Sequence, residues 1–180
     1  MIGYIIRKIL AQFLLLASLA LTVFLGLSIG TTPDAVAAIR QLEEAPGQMV
    51  YQSRQTLKDQ HGNSWQAIAF KRVSPNDKTS FELRLVGFPG VVEIDRSKPL
   101  LLTNSIGEVL TADDNSSLIF TDLSAPEANV GEYDIQPLLA QLQPEIPLSL
   151  TLPTIGGESV QLSVPPSFVQ EWQTLSASKE

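Results

Sequence analysis

Phe81-Glu82-Leu83-Arg84-Leu85 alternates apolar and charged side chains, and Leu148-Ser149-Leu150-Thr151-Leu152 and Val160-Gln161-Leu162-Ser163-Val164 repeat the alternation with neutral polar partners. A period of two turns the apolar side chains of a strand to one face, so each stretch reads as a strand of an antiparallel sheet, buried on one side and wet on the other. Further strands are expected over residues 48–57, 64–73, 100–103, 108–112 and 118–121. Turn-forming strings separate them: Asp59-Gln60-His61-Gly62-Asn63, Pro75-Asn76-Asp77, a tight hairpin from Asn104 to Gly107, and Pro153 to Glu158 with its Gly156-Gly157 pair. Two short helices interrupt the strands. Asp134 is placed to cap one that runs to about Leu142, with Pro137 in the first turn, where a missing N–H costs nothing. Ser167 and Gln170 form a capping-box pair for the other, whose Phe168, Trp172 and Leu175 fall on one face. The expected fold is mainly β, of the α+β kind: an antiparallel β-meander sheet with two or three short helices packed on it.

Ahead of this domain the chain has a different character. Arg7 and Lys8 precede Ile9 to Ile29, in which 16 of 21 residues are apolar and none is charged. Basic residues before an apolar run are retained in the cytoplasm, so the chain beyond the run is carried across a membrane. Ala35-Val36-Ala37 supplies the small-x-small pattern of a signal-peptidase site, which would release the domain after residue 37. The apolar run is also long enough to span a bilayer, and would then tether the domain through residues 9–29. In that second reading Thr32 caps, and Pro33 begins, a short helix through about Glu44. There is no twin arginine, so the general secretory route is the simpler assignment. Residues 1–37 are thus a signal peptide or signal anchor, and residues 38–180 one β-rich extracytoplasmic domain. A domain of this size buries roughly 68–70% of its unfolded surface and needs no covalent or metal staple.

Composition excludes several chemistries. With no cysteine there is no disulfide framework, thiolate metal site, thiol nucleophile or lipidated cysteine, and the single histidine, His61, excludes a multi-histidine metal centre. Residues 38–180 hold 10 basic and 18 acidic side chains, so nucleic acid and anionic lipid surfaces are poor partners. The charge is uneven: residues 38–98 carry 9 basic and 7 acidic side chains, and residues 99–178 carry 10 acidic and no basic ones. The acidic half reads as solvated loops or as a face that docks on a basic partner.

Local strings that invite a function are few. His61 lies near Asp59 and Ser64, but nothing like G-x-S-x-G accompanies it, and His61-Gly62-Asn63 reads as a hairpin tip. Asp113-Asp114-Asn115 crowds oxygen ligands without the terminal bidentate Glu of a calcium loop, and reads as a turn closed by Asp. Glu93 and Asp95 are paired acids on an extended stretch, balanced by Arg96 and Lys98. Gly87-Phe88-Pro89-Gly90 is the most unusual string: one reading folds Phe88 into the core at a bend, the other presents it on an exposed loop to a partner. Trp65 and Trp172 read as core. The candidates for partner contact are Phe88, Pro89, Asp113 and Asp114; no catalytic, cofactor or metal residue is assigned.

The run Leu83-Arg84-Leu85-Val86-Gly87-Phe88-Pro89-Gly90, continued by Val92-Glu93-Ile94-Asp95, by Pro99-Leu100 and by Leu102-Thr103-Asn104, resembles a family of small exported cyanobacterial proteins of uncharacterised function. The resemblance covers nearly all of the domain and carries no catalytic residue. It implies a setting in the thylakoid lumen or the periplasm. The expected function is that of a non-enzymatic accessory protein docking on a membrane complex, which the resemblance implies to be a photosynthetic one. The alternative is a carrier of a small apolar ligand, a lipid or a pigment, held between sheet and helices. Intact mass of the protein from its own host separates the two N-terminal readings: cleavage after Ala37 removes several kilodaltons, and the full mass means the segment stays.

Overall fold

The computed structural model describes residues 39–178 other than 46, 77 and 120–126, together with residues 7 and 12. The chain divides into two units, Met1–Val36 and Ala37–Glu180, and the strands all belong to the second. The cleavage site and all of the apolar run except Gln12 lie outside the described residues. Among the described residues, no helix is long and apolar enough to cross a membrane.

Among the described residues, nine antiparallel strands form two sheets. The first contains β1 (Arg40–Ala45), β2 (Gln48–Lys58), β3 (Ser64–Val73), β4 (Thr79–Val86) and β7 (Val130–Asp134), in that order. The second runs β6 (Val109–Ala112), β5 (Leu100–Asn104), β8 (Leu148–Leu152) and β9 (Val160–Val164). Two sheets in place of a single meander are the main correction to the fold expected from sequence. Alternation gives each strand one apolar face, and two short helices cannot cover the faces of so many strands, so the strands divide and cover one another. Leu83, Leu85 and Tyr133 of the first sheet and Leu102, Leu150 and Leu162 of the second are all fully buried in one core. Isolated bridges add to the ladders: Asp59 pairs with Leu162 and joins the two sheets at their sides, and Asp114 pairs with Tyr133. Such closure leaves fewer unpaired strand edges.

Three smaller expectations also change. The helix from Asp134 to Leu142 is instead the end of β7 followed by one 3-10 turn, Gln136–Leu138. Asp134 does accept a bond from the Gln136 N–H (3.0 Å), but the carbonyls of Leu139 and Leu142 are taken by the Gln173 amide at 3.3 and 2.8 Å rather than by a continuing helix. Of the strand expected at 118–121, Leu118 instead ends a 3-10 turn, Ser116–Leu118, and residues 120 and 121 lie outside the described residues. Residues 40–44, helical in the anchor reading, form β1, because its pairing from Arg40–Gln52 to Ala45–Gln48 satisfies the backbone of β2.

The helix α1 (Pro166–Ala177) closes the fold and buries Val169, Trp172 and Leu175, with Phe168 partly buried against the core. Its cap is Pro165 in extended conformation, with no side-chain bond, rather than Ser167. Pro166 in the first turn donates no N–H where none is needed. At the other end, Lys71 on the inner side of β3 donates to the carbonyls of Ser176 (2.9 Å) and Ser178 (2.7 Å). A cation there meets the negative end of the helix dipole and satisfies terminal carbonyls.

Two glycines are fixed by aromatic neighbours rather than by turns. A Cβ at Gly87 would lie 2.7 Å from the Trp65 ring, and one at Gly131 would lie 2.9 Å from the Tyr133 hydroxyl. Gly87→Ala should therefore cost about 1–3 kcal/mol, the usual range for overpacking, measured by urea unfolding. An unchanged midpoint would mean that the indole is free to withdraw.

Candidate functional site

The hairpin 59–63, the loop 87–91 and the turn 153–159 lie together at one end of the domain. Asp59, buried at the close of β2, accepts from the backbone N–H of His61 (2.9 Å) and Asn63 (2.8 Å), from the Asn63 amide (2.9 Å) and from Trp65 Nε1 (3.2 Å). Burial works against its charge, but the four donors win and hold its carboxyl below the ordinary value. His61 is exposed at this tip, as the sequence suggests. Gln60 joins the tip to the neighbouring turn: its amide donates to the Ser159 carbonyl (2.9 Å) and accepts from the Gln161 N–H (2.8 Å). The loop after β4 is tied to the same turn by bonds from Ile155 N–H to the Glu93 carbonyl (2.9 Å) and from Asp95 N–H to the Pro153 carbonyl (3.0 Å). The Asp95 carboxyl is held down at about 2 by Lys98 and Ser97.

Phe88 and Pro89 stand on this end, both exposed, and Phe88 is 70% accessible rather than folded into the core. The bend exists, but Trp65 fills the space beneath it, against Gly87. Val91 and Ile155, each 56% accessible, share the end with Phe88. Asp113 and Asp114 are not brought to it. They lie at the other end of β7, where the Asp134 N–H bonds the Asp113 carbonyl (3.2 Å), whereas the Gly87 N–H bonds Asn129 ahead of that strand (2.9 Å). Asp114 closes a turn by accepting from the Ser116 backbone and hydroxyl, and its charge, after burial itself, raises the Tyr133 phenol well above its usual pKa. Among the described residues, no three acidic or histidine side chains are grouped to hold a metal.

The outer face of the first sheet carries a second constellation. Val50, Ile68 and Phe70 form a small apolar cluster separate from the core, with Val86 against it. The guanidinium groups of Arg72 and Arg84 lie 5.0 and 5.2 Å from the centre of the Phe70 ring. Arg72 bonds Glu44 (2.9 Å) and lies 3.6 Å from Glu82, while Arg84 bonds Glu132 through both Nε (2.8 Å) and Nη2 (2.6 Å). Glu82 and Glu132 are almost wholly buried, and burial pushes both carboxyls up, against the pull of the arginines. Above the cluster is a cleft of about 280 Å3, whose walls include Arg54 and Glu43 and whose rim carries Leu42, 51% exposed.

A family model described as a protein of unknown function (DUF3122) matches residues 37–175. The chain belongs to that family. The match covers the whole two-sheet domain and most of α1. No curated protein and no solved structure matches the chain.

Sequence reasoning does not assign the outer-face residues, although part of their signal is present. Within 64–73, Trp65, Ala67 and Ala69 supply one apolar face, and Ile68 and Phe70 break the alternation by adding a second. Glu132, by contrast, is brought to Arg84 only by the β4–β7 pairing.

The two buried carboxylates set a pH dependence. With folded pKa values above the ordinary 4.5, they hold protons that the unfolded chain has released, so their contribution to stability is greatest at low pH and is lost as pH rises through that window. Asp59 acts in the opposite sense, stabilising above its unfolded value of 3.8 and losing that effect as pH falls through its lowered folded pKa. Unfolding free energy measured from pH 4.5 upward should fall less steeply in Glu82→Gln than in the wild type. Parallel curves would show that Glu82 titrates normally.

Proposed function

We propose that this domain is a non-enzymatic accessory protein, exported to the thylakoid lumen or periplasm, that docks on an extracytoplasmic segment of a membrane protein complex. The observation that carries the reading is the arginine-flanked apolar cluster on the outer face of the first sheet. Sheet faces turned to water are ordinarily polar, whereas this one seats Val50, Ile68 and Phe70, 4–8% accessible, beneath arginine side chains beside a cleft whose rim exposes Leu42, and aromatic and arginine side chains are enriched at interface centres. Basic side chains of this acidic chain also gather there, with Arg40, Arg54, Arg72 and Arg84 all at even positions of β1 to β4 that face away from the core. The fitting partner is a segment offering an apolar side chain to the cleft and a carboxylate to Arg54, an exposed side chain whose guanidinium is bonded by Gln66 at a long 3.5 Å. The exported setting is supported by the charge-then-apolar order of residues 7–29 and by the resemblance of residues 83–104.

The carrier reading has less support. The enclosed gap bounded by Leu102, Leu142, Leu148 and Val169, between the second sheet and α1, is about 10 Å3, which is about one water, and the wider hollow beside it, about 550 Å3, is an open groove in which Glu108, Gln141 and Gln143 stand beside Leu110 and Leu142, a polar lining for a lipid or pigment.

Native electrophoresis of gently solubilised host membranes tests the docking. The full chain should migrate with a larger complex, and Leu42→Glu or Arg54→Glu should shift it to the free position with an unchanged melting temperature, because both side chains are exposed. Migration as a free monomer under every mild condition would remove the proposal.

A further inference from the structure

We propose that β1 is a dimerisation strand, which pairs antiparallel with β1 of a second copy of this chain about a two-fold axis at Leu42. The rest of the fold leaves it free for that role. On one side of the domain Asp59 bridges to Leu162 and joins β2 to β9. On the other, the chain that follows β6 pairs with β7, through the bridge from Asp114 to Tyr133 and the bonds from Asn115 N–H to the Glu132 carbonyl (2.7 Å) and from Asp134 N–H to the Asp113 carbonyl (3.2 Å). The two sheets thus close on each other, and among the described residues β1 stands outside that closure, laddered to β2 along one side. All six of its residues are exposed, and none belongs to either apolar cluster. An edge strand of this kind presents a row of N–H and C=O groups to the next strand that comes beside it.

The order of charges selects a second copy as that strand. Arg40, Leu42 and Glu44 share the outer face, where Leu42 is paired with Val50 and Glu44 reaches Arg72. Set antiparallel about Leu42, Arg40 of each copy meets Glu44 of the other, Gln41 meets Glu43, and the two Leu42 side chains meet each other. Centring on Glu43 would oppose two carboxylates, and centring on Gln41 would set Arg40 against Leu42. Opposite charges directly across a ladder stabilise it, and like charges oppose it. Glu44 has room for a second cation: its bonds from Arg72 Nε (2.9 Å) and Gln48 Nε2 (3.1 Å) both fall on Oε2 and leave Oε1 open, and Arg40 is exposed to reach it. The pairing requires no docking partner, and it sets the clefts of two copies on one continuous sheet face.

The test uses the full chain, purified in a mild non-ionic detergent, and exploits its lack of cysteine, which makes an introduced thiol the only one. Residues directly opposite in an antiparallel ladder have Cα atoms roughly 4.5–5.5 Å apart, within the span of a disulfide. Under mild oxidation Leu42→Cys should therefore form a covalent dimer in at least fivefold higher yield than Ile106→Cys, a hairpin position that is 67% exposed and reports random collision. Adding Arg40→Glu to the Leu42→Cys chain should cut that yield at least fivefold. Mixing it with a Leu42→Cys chain that carries Glu44→Lys should restore the yield as a mixed dimer, identified by mass, because each basic side chain then faces an acidic one. Equal yields at positions 42 and 106, a yield that Arg40→Glu leaves unchanged, or a mixture without mixed dimer would overturn the pairing. The purified chain is tested with no other protein present, so this result and the co-migration result stand or fall separately.

Discussion

The Trp65 indole ties the 59–63 hairpin to the loop that follows β4. Its ring occupies the place a side chain would take at Gly87, its N–H reaches Asp59, and Asp59 in turn holds the hairpin backbone at His61 and Asn63. A fully buried indole both contributes much of the packing and requires a partner for its one polar atom. Supplying a carboxylate as that partner puts a charge in a buried place, which is tolerable only because three further donors surround it. The indole also sets the course of the 87–91 loop: with the ring below, Phe88 has no room inside and is directed outward. Packing in the core thereby decides what the surface presents.

The same economy recurs elsewhere. Lys71, on the inner side of a strand, is kept there by the terminal carbonyls of α1, and Gln173 of that helix satisfies the turn that replaces a second helix. On the outer face, two carboxylates are buried beside two arginines that also flank a phenylalanine. Buried ion pairs add little net stability, since desolvation offsets their attraction. Their use here is geometric: they fix two guanidinium groups over Phe70 and so define the cleft that a partner would meet.

Period-two strings determine the strands well where burial is one-sided. Residues 64–73, 148–152 and 160–164 are strands to the residue. What alternation does not encode is which faces meet, so a single sheet and two stacked sheets are written alike. β7 is hidden in the sequence because Val130-Gly131-Glu132-Tyr133-Asp134 looks like a polar turn; Gly131 is there for the Tyr133 ring, and Glu132 is buried because Arg84 lies across the ladder. Phe88 between two glycines is legible as an oddity, but its direction depends on an indole 23 positions earlier. Asp113 and Asp114 read as a turn; Asp114 does accept from Ser116 at the start of one, but both residues pair with β7.

The sides of the two sheets are joined by contacts between residues far apart in the chain. Gln60 bonds Ser159 and Gln161 across 99 and 101 positions, and Asp59 bridges to Leu162 beside them. Loop-closure entropy must be overcome before such pairings return any stability, so a topology of this kind folds slowly. β2 is complete by residue 58 and pairs with β3 next to it, yet its junction with the second sheet waits for β9. A chain that leaves the ribosome N-terminus first is therefore met as a loose thread until almost all of it has emerged, and the domain locks only then.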